Sequence, residues 1–289
     1  MSNQDLIIEE RSRDIGAFLV GRLIPFRKKR MVGPFIFIDH MGPSTVKPGH
    51  YLDIGQHPHI GLSTLTYLFE GEIEHRDTLG TQQRVVPGGV GWMTAGKGIV
   101  HTERTPEDLR DGREFTLHGY QIWVALPKDQ EEMAPQFSYT SPDALPTCSD
   151  DGIDFKLVAG HGFGRKSPVP VFSDLFMVDV RTVDEALLKI NGQLKGEIGV
   201  CIVEGSIESG NEKIEKGNML ISKEEHLCEL VIGKNSHLLL FGGTPFEEER
   251  QIFWNFVASD KALIEAAKEK WKEKKFEMLT DDNSYIRIP

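Results

Sequence analysis

The sequence predicts an all-β protein of two antiparallel β-barrels with one C-terminal helix. Three observations carry that prediction. The chain is cut by 29 glycines and 15 prolines into short segments rich in β-branched and aromatic residues. One stretch near the end has a helical apolar period. The two halves also echo each other weakly. With 289 residues there is length for two domains, each with its own core.

The strand candidates in chain order are Thr64–Phe69 (TLTYLF), Gly119–Leu126 (GYQIWVAL), Leu175–Val180 (LFMVDV), Glu197–Val203 (EIGVCIV) and His237–Phe241 (HLLLF). Gly71, Gly80, Gly88-Gly89, Gly205, Gly210 and Gly217 stand between such segments as turns. Residues 68–71 (LFEG) and 202–205 (IVEG) each end a strand in Glu-Gly, with a Gly-bearing turn downstream, which suggests a duplicated unit. A seam of three prolines without a clear period, 135–151, places the domains at 1–135 and 136–289. Ser259 to Leu279 reads as a helix, opened by a Ser cap and acidic Asp260, with Leu263, Ala266, Ala267 and Trp271 near one stripe. It is expected to pack on the second barrel.

Composition is that of an ordinary globular protein, 39% hydrophobic and 27% charged. No apolar run approaches the ~18 residues of a membrane span, and the charged N-terminus is no signal peptide, so a cytoplasmic protein without a membrane partner is expected. The net charge of −11 argues against nucleic acid, whose phosphates require clustered Lys and Arg. Two basic stretches, Arg27–Arg30 and Lys268–Lys275, read as solvated faces. The odd number of cysteines, Cys148, Cys201 and Cys228, lacks metal-type spacing and reads as free thiols.

The chemistry concentrates in residues 55–103. Residues spaced i, i+2 on a strand point to one side. His57 and His59 therefore aim two imidazoles together, and His101 and Glu103 do the same from a second strand. If the strands meet, three nitrogens and one carboxylate converge on a single metal ion. The set suits iron, nickel, copper, manganese or zinc, and an octahedral ion would keep up to two positions for water, substrate or oxygen. Gly96 and Gly98 let the backbone turn sharply and, lacking side chains, keep the approach to His101 clear. His161, His226 and His237 are scattered, so the second half has no matching set. His40, His75 and His118 are read as hydrogen-bonded histidines or as walls and outer supports of the site.

Several stretches together resemble the pirin family of the cupin superfamily: FIDHMGP (37–43), HPH (57–59), TYLFEG (66–71), EHRD (74–77), WMTAG (92–96), GIVHTE (98–103), and His118-Gly119 followed by Gln121-Ile122-Trp123. Gly242-Gly243 and WNFV (254–257) extend the likeness to the tail. The resemblance implies a bicupin (two double-stranded β-helix barrels, with N-terminal strands completing the C-terminal one) and one divalent metal on His57, His59, His101 and Glu103. That metal is iron by family likeness, with Mn, Ni, Cu or Zn as alternatives. One departure stands out: many pirins read Arg-Gly-Phe-Glu after the histidine pair, where this chain has Ile60-Gly61-Leu62-Ser63, which would make the mouth of the site less charged.

Two functions follow from the likeness. One is a quercetin 2,3-dioxygenase-type enzyme that opens a flavonol or enolisable aromatic with O2, Glu103 taking the substrate's hydroxyl proton as general base. The other is a non-catalytic, metal-bearing redox sensor that binds a partner protein.

Overall fold

The computed structural model describes residues 5–15, 19–210, 212–223 and 227–289; His226 lies outside them. The chain divides into two compact units. The first comprises 13–20, 39–142 and 247–289, the second 1–12, 21–38 and 143–246.

Each unit has the same plan, a large antiparallel sheet and a four-stranded one. In the first, the large sheet is built on Gln136–Thr140, Val90–Thr94, Leu62–Glu70 and Phe115–Ala125. Its small sheet runs Asp53–His59, Ile99–Arg104, Ile73–Asp77, Gln82–Val85. In the second, the large sheet is built on Asn218–Lys223, Glu197–Glu204, Ser236–Gly243, Leu175–Thr182 and Ile153–Gly162. Leu6–Glu9 pairs onto its edge at Asn218–Lys223, as the family likeness implied for an N-terminal strand. The small sheet runs Ala186–Lys189, Glu229–Ile232, Ser206–Ser209, Glu212–Glu215.

The period of two decides what each sheet buries. Along Glu197–Glu204, Ile198, Val200 and Ile202 enter a core that they share with Leu188, Ile207, Ile214, Leu230 and Ile232 of the small sheet. The all-β class with one α-helix holds among the described residues. The barrels, however, are two-sheet sandwiches whose hydrogen-bond ladders do not close. Register shifts at 101/103, 118/119 and 157/159 bend the strands, so the sheets curve around a core without one continuous ladder.

The helix spans Lys261–Lys272, stopping short of the expected end at Leu279, and differs from expectation in two further ways. Its N-cap is Asp260, whose carboxylate accepts from Ala262 N at 2.8 Å. Ser259 instead gives its N–H and hydroxyl to Glu131, which also pairs with buried Arg250. The helix also packs in the first unit rather than on the second barrel. Ile264, Ala267 and Trp271 form one cluster with Ile60, Val100, Phe256, Ala258 and Phe276. A helical stripe shows that an apolar face exists; what it covers is decided by where complementary apolar surface lies.

After the helix, the tail clasps the strand Asp53–His59 at one residue. Gln56 gives its side-chain amide to Asp282 O at 2.6 Å and accepts Leu279 N at 2.7 Å. Its backbone N–H donates to Ser284 Oγ, and its carbonyl accepts from Ile286 N. Cys148, Cys201 and Cys228 are free thiols, with burial pushing Cys201 well up. No helix among the described residues is long and apolar enough to cross a membrane.

Candidate metal centre

The small sheet of the first unit lays Ile99–Arg104 between two neighbours. On one side His101 faces His57, and Ile99 faces His59. On the other His101 faces Asp77, and Glu103 faces His75. Pairing His101 with His57 brings together the rings that the i, i+2 spacing had aligned. Ring centroids lie 4.2 Å apart for His57–His101, 5.0 Å for His59–His101 and 5.2 Å for His57–His59. One ligand nitrogen from each of the three falls within 4.8 Å of the others.

All three rings are buried. Burial holds His57 down to about 4, with the Gly55 carbonyl partly offsetting it, and pushes His59 and His101 well below the ordinary imidazole range. They are therefore neutral near pH 7 and offer lone pairs. His57 Nδ1 lies 2.8 Å from Gly55 O, which fixes its proton there and leaves Nε2 to bind. His59 Nδ1 and His101 Nε2 are buried with no protein hydrogen-bond partner. Uncompensated buried nitrogens cost free energy unless something binds them, so the donor set fits a borderline divalent metal.

Glu103 is buried beside this group, but its carboxylate does not join the three nitrogens within that 4.8 Å spacing. Its carboxylate instead meets the large sheet, where Thr66 Oγ1 donates to Oε1 at 3.4 Å. Burial raises its carboxyl to about 7, with hydrogen bonds to Thr66 and Gln121 pulling the other way. Trp123 of the same sheet meets His59 edge-on at 5.1 Å. The cluster thus sits between the two sheets of its unit.

Two local readings change. Gly96 and Gly98 do turn the chain, with φ of +50° and +135°. A Cβ at Gly96 would strike Met133 O, and one at Gly98 would meet the Phe276 ring at 2.7 Å. Close packing, rather than access to His101, is what these glycines serve. Ile60 and Ser63 also do not sit at a mouth. Ile60 is buried in the helix cluster, and Ser63, fully buried, hydrogen-bonds Thr94 at 2.9 Å. Of the other histidines, His40 and His118 pair with each other at 2.9 Å. His161 is exposed, and His237 Nε2 lies 3.0 Å from Asp179. His75 lies against His101, and the sequence reading missed its partner Asp77. The signal was present, since His75 and Asp77 are a third i, i+2 pair.

Two units of paired β-sheets, one holding a cradle of neutral histidines, define a cupin-type protein with a candidate metal centre in one unit. The family models agree: one described as pirin matches residues 18–124, and one described as the pirin C-terminal cupin domain matches 177–277. The chain belongs to the pirin family. It is 41% identical over 291 residues to a pirin-like protein of Caulobacter vibrioides, covering 99% of each chain. The crystal structure of a quercetin 2,3-dioxygenase from Acinetobacter baumannii superposes with a TM-score of 0.90 at 34% identity, over 99% of this chain and 95% of that one. A bacterial pirin from Escherichia coli, solved in complex with nickel(II), shares the fold with a TM-score of 0.65 at 19% identity, over 84% of this chain and all of that one.

Proposed function

We propose that this chain is a metal-dependent dioxygenase of the quercetin 2,3-dioxygenase type, acting on a flavonol or another enolisable aromatic, with iron as its metal. The observation that carries the proposal is the cradle itself: three buried, neutral imidazoles with converging nitrogens, two of which the protein leaves uncompensated. The likeness to the A. baumannii enzyme supports the substrate class. His57, His59 and His101 would hold the ion, with Glu103 as a fourth ligand after a side-chain adjustment. A bound divalent metal would polarise the substrate's enol oxygen and bring it together with O2.

The chain's own groups do the rest. Glu103 takes the 3-hydroxyl proton and later returns it to the product. Thr66 and Gln121 give that carboxylate its hydrogen bonds before the metal binds. The sheets around it exclude water. Both atoms of O2 enter products, one ring carbon leaving with its oxygen as carbon monoxide.

The test is aerobic loss of quercetin absorbance with O2 uptake, after anaerobic loading with Fe(II), Mn(II), Ni(II), Cu(II) or Zn(II) and with His101→Ala as control. Metal-dependent loss that vanishes in the variant is expected. Stoichiometric metal binding with no loss for any of the five would overturn the enzyme and favour the redox-sensing regulator that binds a partner protein.

A further inference from the structure

Behind His101, on the side away from His57, two buried groups form a line. His101 Nδ1 lies 3.3 Å from His75 Nδ1, and His75 Nε2 lies 2.9 Å from Asp77 Oδ2. Asp77 is completely buried, and His75 is held flat against Phe137 at 4.4 Å between ring centroids. The other carboxylate oxygen, Oδ1, accepts backbone N–H from Leu79 at 2.9 Å and Thr81 at 3.2 Å. The carboxylate is thereby anchored and leaves Oδ2 facing His75.

With Asp77 ionised and His75 neutral, one direction of donation follows. An ionised carboxylate only accepts, so His75 carries its proton on Nε2 and gives it to Asp77. The Nδ1 of His75 is then a lone pair and accepts from His101, which must carry its proton on Nδ1. The Nε2 of His101, buried without a protein partner, is left as a lone pair free to bind an ion. We propose that Asp77 and His75 are positioning residues that fix the tautomer of His101, so that a carboxylate two residues removed from the ion sets its ligand's lone pair. The proposal rests on the metal-centre reading and deepens it. Outer groups of this kind orient the ring and raise its basicity.

Asp77→Asn is the discriminating variant, because it preserves shape and can still accept from Leu79 and Thr81. Its amide would donate to His75 Nε2, moving the His75 proton to Nδ1 and driving that of His101 onto Nε2, where it blocks the metal. His75→Phe keeps the stacking on Phe137 and removes the relay without reversing it. With Co(II) as probe and the full chain, chelator competition should show Asp77→Asn binding more weakly by about 10–100-fold, with a changed d–d spectrum. His75→Phe should lose less, although it is the larger change.

In the metal-free protein, long-range proton–nitrogen spectra of the rings should place the His101 proton on Nδ1, and on Nε2 in Asp77→Asn. That measurement stands even if the variant binds no cobalt. A His101 proton on Nε2 in the wild type, or unchanged cobalt affinity and spectrum in a folded Asp77→Asn, would overturn the relay. Failure of the wild type itself to bind Co(II), with His101 protonated on Nδ1, would sink the metal centre and leave the hydrogen-bonded line standing.

Discussion

Glu103 and His101 sit two residues apart on one strand and have separable roles. Glu103→Gln removes the proton acceptor but keeps a neutral oxygen of the same shape beside Thr66. It is expected to keep most of its metal and lose most of its turnover, read as stoichiometry by metal analysis and as rate by quercetin loss. Unchanged turnover would exclude Glu103 as the base. The three imidazoles were legible in the sequence because the strand period is fixed by geometry: whatever sheet forms, residues i and i+2 share a side. Asp77 was harder to see, since its meaning depends on Ile73–Asp77 pairing next to Ile99–Arg104, and register between distant strands is not written in local periodicity. The register shift between His101 and Glu103 is likewise a property of the strand pair, not of either strand.

Among the elements, the helix Lys261–Lys272 has the largest mismatch between what its pattern reveals and what it does. Its apolar face was readable, as was the charged one, on which Lys268 and Lys272 pair with Glu265 and Glu269. That the face covers Ile60 and Val100, neighbours in sequence of His59 and His101, was not. Trp271 is fully buried there, stacks on Tyr285 at 4.5 Å and donates Nε1–H to Ile286 O. Trp271→Ala should cost about 3–5 kcal/mol in urea unfolding, the usual range for removing a buried Trp, and weaken metal binding as the flanking strands loosen. A loss under about 1 kcal/mol would mean that the cluster relaxes to fill the space.

For the whole molecule, acidity is a direct probe of the cradle. In the metal-free protein the rings of His57, His59 and His101 stay neutral while folded, yet protonate near 6.5 once unfolded, so stability falls as pH drops from 6.5 toward about 4. Glu103 opposes this. Raised from 4.5 to about 7, it keeps a proton in the folded chain that the unfolded chain has released, so acid stabilises the fold across that window. Three imidazoles outweigh one carboxyl: the urea midpoint should fall between pH 6.5 and 4.5, and fall further in Glu103→Gln. A midpoint that rises over that range would contradict the buried, neutral rings. The duplicated architecture was legible because strand segments and turns recur in both halves, whereas the allotment of segments to units was not, since 247–289 follows the second core in sequence yet joins the first unit. That allotment has a consequence in time. The clasp on Gln56 is made by residues 223 or more positions later in the chain. At about 5–20 residues per second, a ribosome needs roughly 10–45 s to deliver them after His57 has emerged. During synthesis the strand bearing two of the three imidazoles must wait, its backbone partly unpaired, for a segment made after the whole of the other core.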